Sequence, residues 1–146
     1  MPSLQQLNEP AAFLRCPLSA VEGHRPLPWV ERVVMRRTFR GEIIMLGPSL
    51  DWLGRRWDVR LASVNDTIYK VALEAGTPDR TSAEDLSIAV YTRLEKELGS
   101  PSQSAAAVFL WDADDGNAVL QLANVSGDRR VMVFLTSNVV RTFARR

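Results

Sequence analysis

Thr81-Ser82-Ala83-Glu84-Asp85-Leu86 opens, and Leu94-Glu95-Lys96-Glu97-Leu98-Gly99-Ser100-Pro101 closes, the stretch whose reading decides the fold. The Thr81 and Glu84 spacing fits a capping box, in which hydroxyl and carboxylate accept from opposite backbone donors. Glu84 and Asp85 also suit the positive end of a helix dipole. Leu86, Val90, Leu94 and Leu98 form an apolar stripe at four-residue spacing, broadened by Ala83, Ala89 and Tyr91. Gly99 supplies a stop and Pro101 prevents continuation. The pattern predicts one amphipathic helix over about residues 82–98. Its single stripe can cover one surface of whatever it packs on.

What lies on either side reads as β-structure. On the N-terminal side, Trp57, Val59 and Leu61 alternate with Asp58 and Arg60, and Tyr69, Val71 and Leu73 alternate with Lys70 and Glu74. A two-residue turn at Asn65-Asp66 would set Leu61 against Lys70. A three-residue loop, Asn65 to Thr67, sets Leu61 against Val71 and Val59 against Leu73, and matching faces favours it. Glu42 to Leu46 adds a further strand, bounded by the Gly47-Pro48-Ser49 break, with a turn at Leu53 to Arg56.

On the C-terminal side the expected strands are Ala105 to Trp111, Ala118 to Val125 and Arg129 to Thr136. A Gly127-Asp128 turn sets Leu122 against Val133 and Leu120 against Leu135. A five-residue loop, Ala113 to Asn117, sets Leu110 against Leu120. One face then carries Val108, Leu110, Leu120, Leu122, Val131, Val133 and Leu135. The other carries Phe109, Trp111, Val119, Met132 and Phe134. The fold class is α+β: an antiparallel sheet of about five to seven strands with one main helix on one face. The five-residue apolar set on the opposite face is the candidate interface, because a bare patch of that kind usually marks a contact surface.

Residues 1–28 contain five prolines and read as an irregular arm with a short helix near Ser19 to Glu22; residues 29–146 read as a single domain. Trp29 to Arg40 has helix-like ends and a strand-like apolar pattern, and a strand is preferred. Arg32, Arg36 and Arg40 share one face under either reading and are the candidate anion-binding set. Asn138 to Arg146 reads as a short basic segment with a turn of helix.

Composition narrows the functional classes. The chain has 146 residues, 46% hydrophobic and 24% charged, which is ordinary for one globular domain. The net charge of +1 hides segregation: residues 61–128 carry eleven acids against four bases, while residues 129–146 carry five arginines and no acid. One cysteine, Cys16, forbids an intrachain disulfide and fits a reducing compartment. The N-terminus lacks a signal-peptide pattern and no stretch is apolar enough to span a bilayer, so a cytoplasmic protein is expected. Sixteen arginines against two lysines suggest a GC-rich bacterial genome.

Catalytic motifs are not assembled in the sequence. Cys16 and His24, the only residues of their kinds, both lie in the proline-rich arm, which suits neither a nucleophile pair nor a zinc site. A serine triad would have only His24 as base. Asp112 to Asn117 resembles a calcium loop, but its glycine is fifth and its twelfth residue is Ala123, so it reads as a polar hairpin. The aspartates there are expected at an exposed tip, where nothing raises a carboxylate pKa. The sequons at Asn65 and Asn124 carry no weight without a secretory signal. No cofactor or metal is expected. The leading expectation is a non-catalytic protein-binding or self-associating module, an adaptor or chaperone-like factor, whose partner is another protein or itself. The alternative is an anion or nucleic-acid binder using the Arg32, Arg36 and Arg40 face. It is the weaker reading, because no recognition motif accompanies those arginines.

Overall fold

The computed structural model describes residues 2–28, 31, 41–125 and 128–138. Its elements run β1 (Arg25–Pro26), β2 (Glu42–Leu46), β3 (Leu50–Trp52), β4 (Arg55–Val64), β5 (Thr67–Thr77), α1 (Arg80–Leu98), β6 (Gln103–Ala105), β7 (Val108–Ala113), β8 (Gly116–Val125) and β9 (Asp128–Ser137). The strands form one antiparallel sheet of nine, ordered β1-β2-β4-β5-β9-β8-β7-β6, with β3 paired to β4. The fold is α+β with one main helix on the sheet. Nine strands exceed the expected five to seven; β1, β3 and β6, which the sequence pattern does not mark as strands of their own, are each of two or three residues and too short to show alternation.

Helix α1 starts two residues earlier than expected. Asp79 is the N-cap, its carboxylate accepting from the Ser82 N–H at 2.8 Å. Thr81 and Glu84 therefore lie inside the helix, where Glu84 pairs with Arg80 one turn back. The stripe is as expected: Ala83, Leu86, Val90, Leu94 and Leu98 are buried against β5, β9, β8 and β7. Burial of each of the four large ones contributes roughly 1.5–3 kcal/mol. Ala89 is exposed, and so is Ile88.

The arm shares the helix side of the sheet. Three short 3₁₀ turns, Leu4–Leu7, Glu9–Ala11 and Leu18–Ala20, place Leu4, Leu7, Ala11, Leu14, Leu18 and Val21 in the same core as α1. The last turn lies at the short helix expected near Ser19. The arm is bonded along its length. The Arg15 N–H donates to the Ile68 carbonyl at 2.7 Å, the Ile68 N–H donates to the Cys16 carbonyl at 2.9 Å, and the Leu18 N–H donates to the Asp66 carbonyl at 2.8 Å.

The β4–β5 hairpin combines both readings of its turn. Its loop is the two-residue one, with Asn65 and Asp66 both left-handed at φ 52° and 62°. Yet Leu61 pairs with Val71 and Val59 with Leu73, as face-matching demanded. A β-bulge reconciles them: Ala62 pairs with Lys70 and Ser63 with Ile68, so Tyr69 is the extra residue.

Two other registers differ from expectation. The β7–β8 loop is the tight pair Asp114-Asp115, so Leu110 pairs with Val119 and Phe109 with Leu120. This is a one-residue shift, and it inverts the faces of β7. In β8–β9, Leu120 pairs with Val133 and Leu122 with Val131, closing at Val125 and Asp128. That two-residue shift leaves the faces unchanged. The expected strand Ala105 to Trp111 is instead a hairpin, turned at Ala106-Ala107 between β6 and β7.

Candidate functional site

The inverted β7 register decides which apolar residues look away from the helix. Trp111 is fully buried on the helix side, its indole N–H donating to the Gly99 carbonyl at 2.9 Å. Phe109 packs on the same core, and Tyr91 of α1 stands edge-on to both rings, at 5.1 and 5.4 Å. Phe109 and Trp111 are thus core residues, which corrects their expected place on the bare face. Val119, Met132 and Phe134 do lie on the face opposite α1. Val108 and Leu110 complete that face in place of the two aromatics.

The outer face is a lattice of cross-strand rows. One runs Leu110, Val119, Phe134, Ala72, Arg60, Leu46 across β7-β8-β9-β5-β4-β2. The next runs Val108, Gln121, Met132, Glu74, Asp58. Leu110, Val119, Met132 and Phe134 are half-buried, and Val108 is 37% exposed. Lys70 lies over the Phe134 ring, 5.0 Å from its centroid. A shallow cleft of about 410 Å³, lined by Gln103, Ser104, Ala105, Val108 and Leu110, borders the β6 end.

Charge takes over toward β4. Arg60 donates to both carboxylate oxygens of Glu31, at 2.7 and 3.0 Å, and to Glu74 at 2.9 Å. Arg130 donates to the other Glu74 oxygen at 2.6 Å. The result is an alternating ladder, Glu31–Arg60–Glu74–Arg130, across β4, β5 and β9. The hydrogen bonds from Arg60 hold the Glu31 carboxyl below its ordinary pKa, against the effect of burial. The same bonds raise the Arg60 guanidinium above its own. A second cleft of about 220 Å³ lies beside this ladder, with Arg25, Glu31, Ser49, Asp58 and Arg60 among its walls.

At the far corner of the face, the bulge turns Tyr69 to the same side as Lys70. There its hydroxyl donates to buried Glu42, and Ala62, Val64 and Ile44 pack around it. A one-residue bulge in β5 carried no signal in the sequence beyond the conflict between turn length and face-matching.

Of the anion-binding candidates, Arg32, Arg36 and Arg40 lie outside the described residues, as does the helix-or-strand choice for Trp29 to Arg40 apart from Glu31, whose backbone is helical. The neighbouring arginines are engaged: Arg55 donates to the Gly76 carbonyl, Arg56 pairs with Asp51, and Arg60 belongs to the ladder. The basic C-terminal segment also lies outside the described residues beyond Asn138. Asp115 of the calcium-like loop accepts from Ser3 Oγ and the Leu4 N–H, both at 2.8 Å, so its carboxylate anchors the arm. His24 Nδ1 lies 2.6 Å from the Val21 carbonyl, and Cys16 Sγ donates to the Ala12 carbonyl at 3.2 Å. Each is engaged locally within the arm. Among the described residues no helix is long and apolar enough to cross a membrane. Comparison with known proteins found no matching family model, no matching curated protein and no matching solved structure.

Proposed function

We propose that the chain is a non-catalytic protein-binding or self-associating module, adaptor or chaperone-like in kind, that docks through the outer face of β7, β8 and β9. The observation that carries this reading is the apolar set Val108, Leu110, Val119, Met132 and Phe134, half-buried or exposed on the face opposite α1. Apolar side chains left at a surface in a contiguous group favour contact with another apolar surface. Lys70 and the Glu74–Arg130 pair border this set and Gln121 stands between Val108 and Met132, polar groups of the kind that fix orientation. The arm and α1 are both spent on the other side of the sheet, so neither competes for this face.

The test is a pair of charged variants on that face, Leu110→Lys and Val119→Lys, with circular dichroism to verify folding. Wild type should bind an apolar fluorescent dye such as anilinonaphthalene sulfonate, or show mass growing with concentration in light scattering. Both signals should fall several-fold in the variants. A monomeric wild type that leaves the dye dark would overturn the reading.

A further inference from the structure

We propose that β6 is a pairing edge for a second copy of this chain, joined antiparallel about Ser104, so that two nine-stranded sheets become one continuous sheet. The three short strands of the sheet differ in how their free sides are guarded. β1 consists of Arg25 and Pro26, a charge and a residue without an N–H. β3 carries Asp51, exposed and paired with Arg56. Charge and proline are the usual means of keeping sheet edges apart. β6 has neither. Gln103, Ser104 and Ala105 are all exposed, and pair only with β7 among the described residues. No charged residue occurs between Glu97 and Asp112.

An exposed row of backbone donors and acceptors is best satisfied by another extended backbone. The absence of charge selects among such partners. An acidic or basic peptide finds nothing complementary here, whereas the same neutral, small residues meet themselves without repulsion. A two-fold axis at Ser104 sets serine against serine, and Gln103 of each copy against Ala105 of the other. That is the self-complementary arrangement a symmetric dimer requires. The pairing also sets the two clefts lined by Ala105, Val108 and Leu110 side by side on one face of the joined sheet. The short length of β6 keeps the association weak and reversible.

This inference rests on the self-associating form of the proposed function, and adds an edge contact beside the outer face. The test pairs Ser104→Lys with Ser104→Glu, read by light scattering up to about 300 μM, the range a weak contact calls for. Wild type should approach dimer mass. Each variant alone should stay monomeric, because like charges then oppose directly across the axis. An equimolar mixture of the two should recover the dimer. Independently, with copper–phenanthroline and dissolved oxygen as the oxidant, Ser104→Cys in a Cys16→Ser background should form a disulfide-linked dimer at least tenfold faster than Thr92→Cys in the same background, an exposed helix position. A wild-type dimer untouched by Ser104→Lys but lost in Val119→Lys would overturn the edge and leave the outer face standing. A wild-type monomer with no preferential crosslinking at residue 104 would overturn the pairing outright.

Discussion

Gly116 occupies a position where a side chain has no room. A Cβ there would lie 2.0 Å from the Thr136 carbonyl oxygen and 2.9 Å from Leu4 Cδ1. The first strand residue after the Asp114-Asp115 turn is therefore pressed between β9 and the arm. Gly116→Ala should cost about 3 kcal/mol, in the range of severe backbone clashes, measured by urea unfolding. The opposite sign is expected at Ala106 and Ala107. Both are left-handed, at φ 38° and 65°, in a two-residue hairpin turn that favours asparagine and glycine. Holding a residue with a Cβ in that region costs about 1–2 kcal/mol. The double change Ala106→Asn with Ala107→Gly should therefore raise unfolding stability by about 1–2 kcal/mol. Neither residue was legible. Gly116 read as an ordinary loop glycine, because its constraint comes from a strand and an arm distant in sequence. Ala106-Ala107 carries no turn chemistry, so the hairpin passed for a continuous strand.

Elements were legible where one face is polar. Helix α1 shows an apolar stripe against charged flanks, and the stripe is the one that is buried. β4 and β5 alternate apolar with charged residues, so face-matching recovered Leu61 against Val71 even though the turn is shorter and a bulge intervenes. β7 is apolar on both faces, with Val108 and Leu110 on one and Phe109 and Trp111 on the other, and alternation there carries no information about which face is inside. The register then depends on the loop, and Asp114-Asp115 closes a two-residue turn where a five-residue loop was expected. One residue of slip exchanged Phe109 and Trp111 for Val108 and Leu110. The candidate surface was thus legible in Val119, Met132 and Phe134, whose strands kept their parity, and misread in β7. Trp111 is therefore no probe of that surface. A charge there would be buried beside Gly99 and Tyr91, and would unfold the core rather than probe a contact. The informative substitutions are at Leu110 and Val119.

At the scale of the molecule the sheet divides its labour between two sides. The helix and the arm fill one, and no periodicity in residues 1–28 could say which, because 3₁₀ turns separated by prolines take their side from the packing partner. The other side runs from the apolar set on β7 to β9 into the charged ladder on β9, β5 and β4. The ladder includes Glu31, so it ties the chain just beyond the arm to the sheet. Its strength should be visible in pH dependence. Glu31 has its folded-state pKa lowered from an ordinary 4.5, chiefly by the hydrogen bonds from Arg60. A carboxylate with a lowered pKa contributes stability that is fully present above its unfolded value. That stability is lost as pH falls through 4.5 and then through the lower folded value. Glu31 is partly open to solvent, so screening holds its contribution to about 1 kcal/mol. Glu31→Gln should therefore be about 1 kcal/mol less stable than wild type at pH 7, and the gap should narrow progressively as pH falls below 4.5. Urea unfolding of both proteins across that range checks it. A gap that persists unchanged at pH 3 would mean that residue 31 acts through packing, and that the ladder does not hold this part of the chain by charge.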